Sequence, residues 1–187
     1  MPIRFSEPPQ SAAKHASKLL ARGESLTRPH RVYTLTARDL STGKGLRAAH
    51  AGHWRFLIER GGKIAHSVDV SAGGLAHHSR GRRPADAAAA IRRLFHDPAS
   101  RRARYELRVL TIPALSVKAL WLAGKRRSIL IPIAPVPRRI TAGARYSPQK
   151  LLAILRPLAA ARLRFDNSPA DVPLSAQERP RVLTPAP

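Results

Sequence analysis

Residues 54–70 read WRFLIERGGKIAHSVDV, and their pattern sets the architecture around them. Trp54, Phe56 and Ile58 alternate with Arg55, Leu57 and Glu59; beyond Gly61 and Gly62, Ile64, His66, Val68 and Val70 alternate with Ala65, Ser67 and Asp69. Successive side chains of a strand point to opposite faces, so a period of two on both sides of a two-glycine break predicts a β-hairpin.

Toward the C-terminus, AGGLAHHSRGRR (72–83) reads as a glycine-rich basic loop. Pro84 suits the first turn of a helix and Asp86 is favoured near its positive end. Ala87, Ile91, Leu94 and Phe95 then form one apolar stripe with Arg92 and Arg93 facing away, and Asp97-Pro98 ends the helix. Tyr105, Leu107 and Val109 alternate with Glu106 and Arg108. A single strand running on to Leu122 would far exceed the usual length of about 5 to 6 residues. Pro113 also lacks the N–H that a central ladder needs, so the strand is broken there, with a reversal and a corner both open. A second piece covers 116–122 and, after the Gly124-Lys125-Arg126 turn, a third covers 128–134. Pro132, Pro135 and Pro137 mark the last as an edge or its fraying end. The expected fold class is therefore α+β: an antiparallel sheet of about five strands, a ββαβββ core, with one central helix and terminal helices.

Upstream, Pro8-Pro9, Ser11 and Gly23 bracket a short helix over 12–22, and RVYTLT (31–36) reads as a strand. Downstream, Ser147-Pro148 opens a late helix carrying Leu151, Ile154, Leu155 and Leu158, which Pro157 should kink. From Asp166 the last 22 residues hold five prolines and few large apolar groups, the composition of a disordered or peripheral tail. The expected organisation is an N-terminal extension (1–52), an α+β core (53–137), a helical segment packing on it (138–165) and a Pro-rich tail (166–187). Opposite Val117, Ala119 and Trp121, the residues Leu120 and Leu122 are joined by Leu110, Ile112 and Leu130 from neighbouring strands. A sheet with one wet face should alternate cleanly. These five are accordingly interface candidates, to be covered by the terminal helices, a second copy of the chain or a protein partner.

The 187 residues carry 34 Lys+Arg against 11 Asp+Glu, a formal net charge of +23, and no cysteine. Disulfides, thiolate metal sites and a cysteine nucleophile are excluded. No apolar run approaches the roughly 18 residues of a membrane span and no secretory signal opens the chain, so a soluble, cytoplasmic protein is expected. Only seven of the 34 cations are lysine. A GC-rich coding sequence would enrich Arg, Ala and Pro, yet it does not explain so few carboxylates. The cations are also spread: 9 against 3 anions in residues 1–52, 16 against 5 in 53–137, and 9 against 3 in 138–187. Such an imbalance attracts polyanions at long range, nucleic acid first, then an anionic membrane surface or an acidic protein.

If Pro113 reverses the chain, three loops meet at one end of the sheet. Arg60 and Lys63 flank the hairpin turn, Arg101, Arg102 and Arg104 precede the strand from Tyr105, and Lys125, Arg126 and Arg127 form the next turn. These eight form the expected polyanion-binding rim. A second anion site is expected at the opposite end, where Ser79, Arg80, Arg82 and Arg83 precede a helix N-terminus. Trp54, Phe56, Tyr105 and Trp121 fall on the core phase of their strands, which leaves few aromatics for base stacking. His50 with His53, and His77 with His78, lack the further ligands that zinc needs, and no nucleophile–base, zincin or dinucleotide motif is present. The expectation is a noncatalytic basic module without metal or cofactor, binding nucleic acid or another polyanion through phosphates. The alternatives are a protein-interaction or oligomerisation module, and an enzyme with an unfamiliar pocket.

Overall fold

Gly61 and Gly62 both take positive φ, 56° and 76°, the left-handed pair that a two-residue type I′ hairpin turn requires. The hairpin so formed joins β3 (His50–Arg60) to β4 (Lys63–Val70), and around it the chain builds a single α+β sheet. The computed structural model describes residues 3–71, 76–80, 82–96 and 104–166. The other elements are β1 (Ile3–Phe5), α1 (Gln10–Ser17), β2 (Glu24–Thr34), α2 (Ala37–Ser41), β5 (Ala76–Arg80), α3 (Arg82–His96), β6 (Tyr105–Ile112), β7 (Val117–Ala123), β8 (Ser128–Ile133) and α4 (Pro148–Asp166).

The strand order is β5-β4-β3-β2-β6-β7-β8, with β1 added on β6. Among the described residues the sheet thus has eight strands instead of about five, and it is mostly antiparallel. Two additions come from the segment ahead of residue 53. β2 sits in the middle, antiparallel to β3 but parallel to β6 over Arg31–Thr34, and β1 runs parallel to the other half of β6, pairing Ile3 with Tyr105. A further strand, β5, lies within the stretch read as a glycine-rich loop, and pairs antiparallel with β4. Alternation is short there and interrupted by His and Ser, so no apolar period announced it.

Reversal at Pro113 is observed. Pro113–Leu115 makes one 3-10 turn, Ser116 takes φ of 53°, and β7 returns antiparallel to β6 with Ile112 opposite Val117. β8 is the edge next to β7. Tyr146 exchanges both backbone hydrogen bonds with Leu130 (2.9 Å each), and Gly143 N–H donates to the Pro132 carbonyl at 2.8 Å. Pro132 therefore lies on the side of the edge where its missing N–H breaks no ladder bond.

Both faces of the β6–β8 half are buried. Tyr105, Leu107, Val109, Leu120 and Leu122 pack with Ile91 and Leu94 of α3, whereas Leu110, Ile112, Trp121 and Leu130 pack with Leu151, Leu152 and Leu155 of α4. The five interface candidates do not share one face. Leu120 and Leu122 lie under α3, while Leu110, Ile112 and Leu130 lie under α4, and none is more than 1% exposed. Register explains the division: Leu110 pairs with Ala119 and Val109 with Leu120, so Leu110 and Leu120 project oppositely. Intramolecular helices are what cover the two apolar faces. α4 runs continuously past Pro157, which is exposed. Over β3 and β4, α1 buries Ala12 and Ala16 on Trp54, Phe56, Val68 and Val70.

Candidate polyanion-binding surface

Chain direction decides which turns share an end. Glu24 at the start of β2 pairs with Arg60 at the end of β3, β6 runs parallel to β2, and Glu106 near the start of β6 pairs with Ala123 at the end of β7. The β3–β4 turn, the start of β6 and the β7–β8 turn therefore all lie at one end of the sheet. They do not form one cluster. With β2, β1 and β6 between them and strands about 4.8 Å apart, the two turns are separated by roughly 20 Å.

Arg60 Nη2 donates to Glu24 Oε1 at 2.8 Å, so that cation is already paired. The Glu24 carboxyl, which also accepts from Ala21 N–H at 2.9 Å, is held below its ordinary pKa by that backbone bond, helped by His66 and Arg60. Lys63 is exposed beside it. Arg104 and Lys125–Arg127 do come together: Arg104, Lys125, Arg126 and Arg127 line one hollow around Tyr105 and Gly124. Arg127 Nε donates to the Tyr105 hydroxyl at 3.0 Å, which orients one of the three turn cations. Arg101 and Arg102 lie outside the described residues.

This hollow shares lining residues with two others that the sequence did not indicate. Arg104 and Lys125 also line a recess with Arg4, Phe5 and Ser6 from β1 and its exit. Arg126 and Arg127 also line a third hollow, with Lys44, Arg47, Arg156 and the start of α4. Arg4, Arg104, Lys125, Arg126, Arg127, Lys44, Arg47 and Arg156 thus form one band bent around the β7–β8 turn. All eight are exposed. Opposition is sparse. Glu106, in the first recess, accepts from Arg108 Nη2 at 2.7 Å and from Ser6 Oγ, and Arg108 holds its carboxyl below the usual range. Asp39 accepts from Lys44 Nζ at 2.9 Å, which lowers its pKa in turn. Arg4, Arg47 and Arg156 could not have been joined to the rim from sequence, because a parallel β1 and the return of α4 over the sheet are long-range events.

At the second expected anion site, β5 changes the geometry. Ser79 pairs in register with Ser67 and Arg80 with His66, so the strand runs back toward the Gly61–Gly62 end. Arg82 and Arg83 then open α3 from that side instead of from the opposite end.

Aromatic side chains stay in the core: Trp54, Phe56, Tyr105 and Trp121 are 2–7% exposed. Arg108 lies over the Tyr33 and Trp121 rings, 5.0 and 5.1 Å from their centroids, and Arg31 lies 5.6 Å from that of Trp54. Among the described residues no group of three His, Cys, Asp or Glu could hold a metal ion, and no helix is long and apolar enough to cross a membrane.

One polar constellation was missed entirely. Arg55 donates through Nε and Nη2 to the two oxygens of Asp69, 2.6 Å each, across the hairpin, and His53 Nε2 stands 3.1 Å from Asp69. Burial alone would raise the Asp69 pKa, but the hydrogen bonds from Arg55 and His53 outweigh it and hold the carboxyl well below the carboxylate range. His30, in register with Arg55, is fully buried, and its Nδ1–H donates to the Arg28 carbonyl at 2.9 Å. Burial pushes its pKa down to about 4. Comparison with known proteins finds no matching family model, no similar curated protein and no similar solved structure.

Proposed function

We propose that this chain is a noncatalytic binding module for nucleic acid, engaging it mainly through backbone phosphates. The observation that carries the reading is the cation band around the β7–β8 turn. Eight exposed Lys and Arg side chains from β1, the 43–47 loop, the β6 start, the β7–β8 turn and α4 line three adjoining hollows. Residues 104–165 carry 13 Lys+Arg and a single carboxylate, Glu106, which is already engaged by Arg108 and Ser6. A band of this kind favours phosphates without distinguishing bases, since sequence readout needs side chains at base edges and the large aromatics are committed to packing.

Titration of a fluorescent single-stranded oligonucleotide across a salt series tests it. Binding should weaken steeply between about 50 and 200 mM salt and vary little with base sequence. Replacing Lys125, Arg126 and Arg127 together by alanine should flatten the log–log salt slope by about 2, since each phosphate of a single strand that is no longer neutralised lowers it by roughly 0.7. No detectable binding at low salt, or an unchanged slope in the triple variant, would overturn the reading.

A further inference from the structure

The band is not uniform. Its three hollows differ in size and lining: the two that Lys125 lines are about 670 and 370 Å³, whereas the far end is a hollow of about 980 Å³ between the 43–47 loop, the β7–β8 turn and the first turns of α4. Five cations reach that hollow from three separate segments, Lys44 and Arg47, Arg126 and Arg127, and Arg156; Lys44 is paired with Asp39, which lies outside the lining, and the lining itself holds no carboxylate. The 19-residue α4 starts there, with Ser147 Oγ accepting from Lys150 N–H at 3.2 Å. Trp121 forms part of the floor at 7% exposure, and its buried indole N–H has no hydrogen-bond partner among the described residues.

Gly43 brings the far wall in. It takes φ of +77°, and a Cβ placed there would fall 2.8 Å from Arg156 Nη2 and 3.1 Å from its Cζ. A side chain at position 43 would push the flexible Arg156 guanidinium away; glycine lets it lie against the loop, on the same hollow as Lys44 and Arg47.

A bridging phosphodiester brings one negative charge and continues in both directions. A phosphomonoester brings about −1.5 to −2 charges and three strong acceptor oxygens on a group that ends there. Converging guanidiniums, which present paired N–H donors to oxyanions, together with a helix N-terminus, match the second. We infer that this hollow is a phosphomonoester site, distinct in preference from the rest of the band. The terminal phosphate of a nucleic-acid strand is the source that agrees with the proposed function, on which that part of the inference rests; a free nucleotide offers the same chemistry.

Anisotropy with matched oligonucleotides bearing or lacking a 5′- or 3′-phosphate separates these points. A terminal phosphate should tighten binding by about tenfold, the order expected of one added charge-assisted set of hydrogen bonds. Arg47→Ala with Arg156→Ala should abolish that gain, leaving phosphorylated and unphosphorylated strands bound equally, while the unphosphorylated strand loses only the slope of about two phosphates, roughly 1.4. Gly43→Ala, which displaces Arg156 without removing it, should reduce the gain partially. Competition by orthophosphate and by a nucleoside monophosphate identifies the source: either one displacing the phosphorylated strand as well as an unlabelled copy does assigns the site to free phosphate compounds. Salt-dependent binding with no effect of a terminal phosphate, and no competition, overturns this inference alone. Absence of strand binding at any salt, with orthophosphate still detected by calorimetry and lost in the double variant, overturns the strand reading but supports the site.

Discussion

The two halves of the sheet treat charge in opposite ways. In β2–β4 two of the arginines are matched by carboxylates: Arg55 is buried against Asp69, beside which His53 also stands, and Arg60 lies on Glu24. In β6–β8 and α4 both faces are apolar and sealed by α3 and α4, and most of the cations stand at the turns, in the loops and on α4, with two carboxylates among them, Glu106 and Asp166. Residues 3–71 carry 12 Lys+Arg and five carboxylates, residues 104–165 carry 13 and one. Net charge therefore accumulates where the interior does not need it. The same residue type is a packing element in one half and a surface field in the other, and the +23 of the whole chain conceals that division.

The sharpest way to break this comparison is to show that the buried pair is dispensable. Asp69→Ala leaves the Arg55 guanidinium, 8% exposed, without its carboxylate. The expected loss is about 3 to 5 kcal/mol of folding stability in urea denaturation, because an uncompensated buried charge remains. Replacing Arg55 and Asp69 together by apolar residues should cost less than the single change. If Asp69→Ala lowers stability by no more than a surface substitution, the charges of the first half are not structural.

Next in size is a pH effect confined to the same half. The unfolded chain protonates His30 near pH 6.5, the folded chain only near 4. Between those values the unfolded state holds the extra proton, so the contribution of a neutral buried His30 is complete above about 6.5 and is lost as pH falls toward 4. Two and a half pKa units correspond to about 3 kcal/mol. His30→Gln should flatten stability across that window, whatever its stability at neutral pH. An unchanged pH slope would place the proton uptake elsewhere.

How much of this was legible follows from parity. A two-residue turn pairs Arg60 with Lys63, so residue numbers opposite each other sum to an odd number. Trp54, Phe56 and Ile58 share a face with His66, Val68 and Val70 only if the sum is even. The two patterns conflict unless one strand carries an extra residue, and β4 does, with Ile58 opposite His66 but Glu59 opposite Ile64. That bulge sends Ile64 to the α3 side, away from the three residues it was grouped with, and brings Asp69 opposite Arg55. The hairpin, the α3 stripe, the Pro113 break, the edge at β8 and the late helix were readable because each depends on a local period or a proline. β1, the central place of β2 and the strand β5 were not, since their partners are distant and their own alternation is short. For the surface, the turn cations could be read, but not which were already paired. Arg60 and Arg104 look alike in sequence; a glutamate 36 residues from Arg60 makes them different.

That difference supplies the smallest and most discriminating test. Arg104 is exposed, makes no ion pair among the described residues and lies beside Lys125–Arg127. Arg104→Ala should leave the thermal midpoint within the scatter of an ordinary surface change while flattening the salt slope of oligonucleotide binding by about 0.7, the value for one phosphate. Arg60→Ala should do the reverse: a small fall in the midpoint as the Glu24 ion pair disappears, and an unaltered slope, because the charge removed was already balanced. The β3–β4 turn and the β7–β8 turn lie at the same end of the sheet, so a field that depended only on total charge would respond equally to both variants. Equal slopes would mean that long-range attraction, and not the band around the β7–β8 turn, accounts for binding.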